Sequence, residues 1–206
     1  MAAVDNVAVE SPLEFRIDYP ESLSRLHLLA KIFLGQWYVG FPHGVALSVY
    51  GFLTFFTFIG SFIAILATGK YPEQLFQFNA GFIRWLTRVQ IYLGYLTDDY
   101  PPFSTRLGDN ALYFDVQNPG SISRGNASIR FFFGWLYAGV PHGVALLVYG
   151  IAVGFVGIYG ALSILFTGTY PEGAFNFVVG WYRWATRLAC YLLLLNDEYP
   201  PFNGQP

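Results

Sequence analysis

The chain has 206 residues, room for one or two ordinary domains, but 54% of them are hydrophobic, 20% aromatic and only 12% charged, against about 25% charged in a typical soluble domain. A net charge of −2 gives a polyanion nothing to hold, so no nucleic-acid partner is expected. The single cysteine, Cys190, excludes a disulfide framework and a cysteine metal centre.

Residues 1–12 are polar and acidic, with no basic start followed by an apolar run; they read as a disordered tail without a cleavable signal peptide. Leu13, Phe15 and Ile17 then alternate with Glu14, Arg16 and Asp18, the period of a half-buried strand, up to Pro20. Over Ser22 to Phe41, Arg25, Lys31, Trp37 and Tyr38 sit among leucines and aromatics. That composition predicts a helix at the membrane interface, turned at Pro42 into a longer one. Gly44 to Ala67 follows, 24 residues without a charge, enough at about 1.5 Å per residue to cross a hydrocarbon core of roughly 30 Å. Thr68-Gly69 and Tyr71-Pro72-Glu73 make a turn and start another helix, with proline at its first position and an acid at the positive end of its dipole. This helix is expected over 73–97, ending at Asp98 and Asp99 before Tyr100-Pro101-Pro102-Phe103.

From Leu112 the chain repeats itself at an offset of 99 residues. Pro42-His43-Gly44-Val45-Ala46-Leu47 returns as Pro141-His142-Gly143-Val144-Ala145-Leu146, Arg84-Trp85 and Thr87-Arg88 as Arg183-Trp184 and Thr186-Arg187, and Tyr100-Pro101-Pro102-Phe103 as Tyr199-Pro200-Pro201-Phe202. No gap is needed between Phe15 and Phe103. The expected organisation is repeat 1 over 13–103, a linker over 104–111 and repeat 2 over 112–202, with spans near 44–67, 73–97, 143–166 and 172–196. The fold class is an all-α membrane protein of two tandem repeats, each a short strand, an interfacial helix and a two-helix transmembrane hairpin. Were the halves related by a twofold axis along the membrane normal, the two strands would be antiparallel and could pair outside the bilayer.

Two topologies compete. If the second helix of each repeat crosses, there are four spans and the halves are parallel; if it lies in the interface, there are two spans and the halves are inverted. With four spans, Arg16, Arg25, Lys31, Arg106, Arg124 and Arg130 collect on one side against Lys70 alone on the other. The positive-inside rule then places both termini in the cytoplasm. Four spans is the reading the charges favour.

The candidate site residues are few. Arg84 and Arg88, with Arg183 and Arg187, are spaced i, i+4 on one helix face and could capture anionic headgroups or another anion, since guanidinium forks chelate phosphate oxygens. They could equally be interfacial anchors, or line a path for a small anion. His43 and His142 occupy equivalent positions; two neutral imidazoles near a common axis could ligate a haem or another tetrapyrrole, whereas the plain alternative is a hydrogen bond at a helix end. Asp98, Asp99, Asp197 and Glu198 lie at helix ends and read as solvated stops or partners of arginine. No catalytic motif, phosphate loop or metal-ligand spacing is present, so no enzymatic activity, metal or cofactor is expected.

The order strand-Tyr-Pro, Ser-x-Ser-Arg, Pro-His, long apolar segment, Thr-Gly-x-Tyr-Pro, Arg-Trp-x-x-Arg, Tyr-Pro-Pro-Phe resembles a bacterial membrane-protein family known as domain of unknown function 4389, in tandem from Leu13 to Phe202. The resemblance implies a multi-pass protein of the bacterial inner membrane and adds no activity. The expected role is a non-enzymatic scaffold or accessory subunit, with membrane lipids, other membrane subunits or a second copy as partners.

Overall fold

Serine starts the first helix of each repeat. The Ser24 hydroxyl accepts from the His27 backbone N–H at 3.3 Å, and Ser123 does the same for Asn126 at 3.5 Å. In the computed structural model, which describes residues 13–108 and 110–206, the elements run β1 (Leu13–Ile17), α1 (Arg25–Gly35), α2 (Phe41–Thr68), α3 (Glu73–Leu93), β2 (Leu112–Val116), α4 (Arg124–Gly134), α5 (Val140–Thr167) and α6 (Glu172–Leu192). The fold is mostly helical, with two long apolar helices, two shorter ones packed on them and one short strand pair. The tail expected over 1–12 lies outside the described residues.

The turn expected at Pro42 is not a break. α1 and α2 join through a π-helical turn, Gln36–Gly40, into one 44-residue helix, Arg25–Thr68. Trp135–Gly139 joins α4 to α5 in the same way over Arg124–Thr167. A proline inside a helix has no N–H for the carbonyl four residues back, and its ring crowds that carbonyl. Widening the turn relieves the clash: the Phe41 N–H reaches Gln36 O instead. The orphaned carbonyl, Tyr38 O, accepts from the Tyr100 hydroxyl at 3.4 Å, and Tyr137 O from Tyr199 at 3.4 Å. The Tyr-Pro-Pro-Phe loops thus replace the bonds that the Pro-His motifs delete.

Each long helix ends at a left-handed glycine, Gly69 (φ 73°) or Gly168 (φ 80°), whose N–H returns to Ile65 O or Ile164 O. Pro72 and Pro171 cap α3 and α6, and Glu73 and Glu172 occupy their first turns. Both helices stop at 93 and 192, short of the lengths expected.

The repeats interlock about a pseudo-twofold axis. β1 and β2 pair antiparallel with Phe15 opposite Phe114, its own repeat counterpart. The Arg25 guanidinium donates to Phe166 O at the end of α5, and Arg124 to Ala67 O at the end of α2, each at 3.0 Å. Phe62 of α2 stacks on Phe131 of α4 at 3.9 Å. The start of each long helix therefore lies against the end of the other, so the two run antiparallel. α3 turns back along α2, bringing Leu93 to Gly35, and its leading Tyr71 donates to Leu193 O beyond α6 at 3.4 Å. A twofold axis relates elements to antiparallel copies only when it runs across them. Strands, long helices and short helices all lie across the axis here.

Two helices among the described residues are long and apolar enough to cross a membrane, Arg25–Thr68 and Arg124–Thr167, and the most apolar stretch of each is only 22% and 11% buried. α3 and α6 differ: Phe76, Ala80, Ile83, Trp85 and Ile91, and likewise Phe175, Val178, Trp184 and Cys190, are buried.

Candidate functional site

Each repeat builds a polar relay at its helix kink. His43 is fully buried between α2, α3 and the following loop. Trp85 Nε1 donates to His43 Nδ1 at 3.0 Å. His43 Nε2 lies 3.3 Å from the Tyr100 hydroxyl, which donates to Tyr38 O. Indole is only a donor and a carbonyl only an acceptor, so both ends of the relay are fixed and His43 carries its proton on Nε2. Phe103 stacks on the imidazole at 3.9 Å and 15°. The second repeat matches it, with Trp184 donating to His142 Nδ1 at 2.8 Å and Phe202 stacked at 3.8 Å, but His142 Nε2 has no hydrogen-bond partner.

The histidines are not brought to one site. The ring partners of His43 are Trp85, Tyr100 and Phe103; those of His142 are Trp184, Tyr199 and Phe202. A metal needs an imidazole lone pair, and on each ring the Nδ1 pair already takes a tryptophan proton while Nε2 bears hydrogen. Axial ligation would break the tryptophan bond and shift the tautomer. Among the described residues no group of three or more His, Cys, Asp or Glu could hold a metal ion.

The arginines stay in two pairs, each under one strand and the loop that follows its own helix. Arg84, almost fully buried, donates through Nε to Phe114 O at 2.9 Å and through Nη1 to Thr105 O. Arg88, fully buried, donates to Ser104 O at 3.0 Å and to Arg106 O. Arg183 donates to Phe15 O at 3.4 Å and Gly204 O at 2.7 Å, and Arg187 to Gln205 O at 2.7 Å. The face of Arg84 and Arg88 is covered by the chain's own backbone, Arg183 and Arg187 are half-buried, and Arg84 and Arg183 each hold the strand of the other repeat.

Of the acids expected as solvated stops or partners of arginine, Asp98 and Asp197 each meet a basic side chain on the first helix of their own repeat. Lys31, buried on α1, donates to Thr97 O at 2.6 Å and Asp98 Oδ1 at 2.9 Å, and its counterpart Arg130 binds Asn196 O and Asp197. Burial opposes ionisation of Asp98, but the Ser24 N–H, Lys31 and His27 outweigh it, so its carboxyl titrates below the ordinary 3.8. The repetition of Lys/Arg with Asp at one spacing in both halves is the only sequence signal of this bridge.

These features define a tandem-repeat helical protein whose buried polar groups brace helix kinks and swapped strands. The chain belongs to the family described as Domain of unknown function (DUF4389), which matches residues 37–105 and 128–203, one copy in each repeat. No curated protein and no solved structure matches it.

Proposed function

We propose that this protein is a non-enzymatic membrane scaffold whose long helices lie in the plane of one leaflet, with the strand pair and loops facing water. The observation that carries this is the uncharged outer face of those helices. On the first, Leu26, Phe33, Trp37, Phe41, Val45, Val49, Phe52, Phe56, Ile63 and Leu66 are exposed, and Lys31, the one cation between His27 and Ala67, is buried. The face extends over nearly the whole 44-residue helix, about 66 Å at about 1.5 Å per residue, twice the roughly 30 Å of a hydrocarbon core. Each large apolar side chain moved out of water contributes about 1.5–3 kcal/mol, so a face this long strongly favours an apolar phase.

The antiparallel repeats favour the in-plane arrangement over crossing. Four parallel spans would need long helices running along the twofold axis. Two inverted spans would put that axis in the membrane plane and the strand pair at mid-depth, where Glu14, Arg16 and Asp18, all exposed, are costly. With the axis along the normal, the same charges meet water.

The test is impermeant maleimide labelling of single cysteines placed at Asp18, Lys70 and Thr169 in a Cys190→Ala background, in sealed vesicles. The in-plane reading expects all three to label from one side. Lys70 and Thr169 labelling from opposite faces would establish inverted crossings, and both labelling opposite to Asp18 would establish parallel ones. Either result sinks the proposal.

A further inference from the structure

The two repeats differ where a long helix packs on the first helix of the other half. Phe58 and Phe62 of α2 stack on Phe131 of α4 at 5.2 and 3.9 Å. At the equivalent place in the other half stand Gly157, Ala161 and Ile32, and Phe55 is answered by Gly154. The missing rings leave a groove of about 490 Å³ between α1, α5 and α6, lined by Ile32, Gly154, Gly157, Ala161, Leu165 and Tyr182 among others. Its size falls in the roughly 300–1,000 Å³ range of small-molecule sites.

A second, independent observation sits in its wall. Tyr170 lines the groove, is fully buried, and its hydroxyl has no hydrogen-bond partner. In the first repeat the equivalent Tyr71 hydroxyl accepts from Asn79 Nδ2 at 2.7 Å and donates to Leu193 O at 3.4 Å. Val178 replaces Asn79, and Gly160 replaces Ser61. The phenol end of Tyr170 lies against α5 at Gly160, where an added Cβ would stand 2.2 Å from its Cζ. A buried hydroxyl without a partner is costly, and here it falls in the one wall whose filling side chains have been removed.

We propose that this groove holds one acyl chain of a membrane phospholipid, with the Tyr170 hydroxyl donating to an oxygen at the ester end of that chain. The walls are apolar and run along α5 from Val153 to Leu165, roughly 18 Å at about 1.5 Å per residue, which suits an extended hydrocarbon. Ile158 and Leu162, on its edge, belong to the exposed apolar face, so a chain enters sideways from the leaflet. The Tyr170 hydroxyl, level with Gly160, sets where the ester lies. About 10 Å of groove runs from there to Val153 for the hydrocarbon, and the other end opens past Leu165 toward the Gly168 turn and the exposed Arg25 that binds Phe166 O. The lipid source rests on the membrane reading.

The test uses a phosphatidylcholine with a diazirine in one acyl chain, incorporated into dioleoylphosphatidylcholine vesicles carrying the full chain, with cross-links mapped by mass spectrometry. Labelling is expected within 153–165 and at Tyr182, above that at Phe52 on the outer face. Gly154→Phe with Gly157→Phe restores the aromatics of the first repeat at positions where a Cβ meets nothing within 4 Å. It should abolish groove labelling and spare Phe52. Tyr170→Phe, which deletes only an unpartnered hydroxyl, should let the lipid exchange several-fold faster. Groove labelling that survives the double substitution, or that appears only with a diazirine fatty acid, overturns the proposal. Loss of labelling at Phe52 as well as in the groove would instead bring down the membrane reading, and the phospholipid source with it.

Discussion

Phe15 faces Phe114 across the strand pair, ring centroids 6.5 Å apart at 62°, and the two are the same residue of successive repeats. A residue paired with its own copy marks where the pseudo-twofold axis passes, and every other cross-repeat contact follows from it. Arg84 grips the Phe114 carbonyl and Arg183 the Phe15 carbonyl, so each strand closes over the helix of the other half. The repeats share one core, with Phe15, Phe114, Phe76 and Phe175 in a single cluster.

Tyr100 should matter through its hydroxyl. It takes up the Tyr38 carbonyl freed by Pro42 and meets His43 Nε2. Tyr100→Phe is expected to cost about 0.5–1.5 kcal/mol, the net worth of a typical hydrogen bond. Tyr199→Phe should cost a similar amount, and the double variant close to the sum, because the two relays share no partner. Denaturation in mild detergent measures this; a Tyr100→Phe variant as stable as the parent would remove the hydroxyl from the account of the kink.

Much of the architecture is legible in the sequence: the tandem repeat, the alternation of Leu13, Phe15 and Ile17, the turn at Thr68-Gly69, and the antiparallel pairing of the strands. The continuous helix is not, because Pro42 reads as a break and the group that compensates it, Tyr100, lies 58 residues on. That continuity makes the long helices antiparallel, where the distribution of basic residues pointed to parallel halves. The i, i+4 spacing of Arg84 and Arg88 correctly puts them on one face, but nothing local says that the face is covered by Ser104, Thr105 and Arg106. The separation of His43 from His142 likewise depends on tertiary packing that equivalence in sequence does not encode.

Acid should loosen the bridge between α1 and the loop after α3. The Asp98 carboxyl is held below its ordinary 3.8, so the folded state binds its proton less readily than the unfolded chain does. Its stabilisation is full above the unfolded value and is lost as pH falls through the folded one. Stability should therefore be flat from neutrality to about pH 5 and decline below about pH 4. Asp98→Asn should lower the plateau and reduce the acid-dependent part. An unchanged decline in that variant would assign the acid sensitivity to other carboxylates.

Gly160 should tolerate no side chain. A Cβ there would lie 2.2 Å from Tyr170 Cζ, whereas one at Gly143, on the same helix, meets nothing within 4 Å. Gly160→Ala is expected to destabilise by about 1–3 kcal/mol through overpacking. Gly143→Ala should be neutral or stabilising by up to about 1 kcal/mol, as alanine relieves the entropic cost of glycine in a helix. Thermal unfolding of the pair side by side would show the contrast; equal midpoints would mean that Tyr170 moves aside freely.

Arg84 separates a bracing role from a headgroup role. If it serves mainly to hold the β2 carbonyl and the Thr105 carbonyl, Arg84→Met removes the donor of two partly or fully buried acceptors, at about 1–3 kcal/mol for each one left unpaired. Arg183, less buried and bound to Phe15 O at the longer 3.4 Å, should cost less when replaced by Met. The loss should be the same in zwitterionic and in anionic lipid, since the groups it binds belong to the chain. An Arg84→Met protein of normal stability that had lost a preference for anionic vesicles would return the arginines to the role of a headgroup site. Arg84→Lys sharpens the comparison: it keeps the charge but cannot reach both carbonyls in the fixed geometry of a guanidinium. It should recover little of the lost stability, whereas attraction of an anionic surface would survive it almost intact.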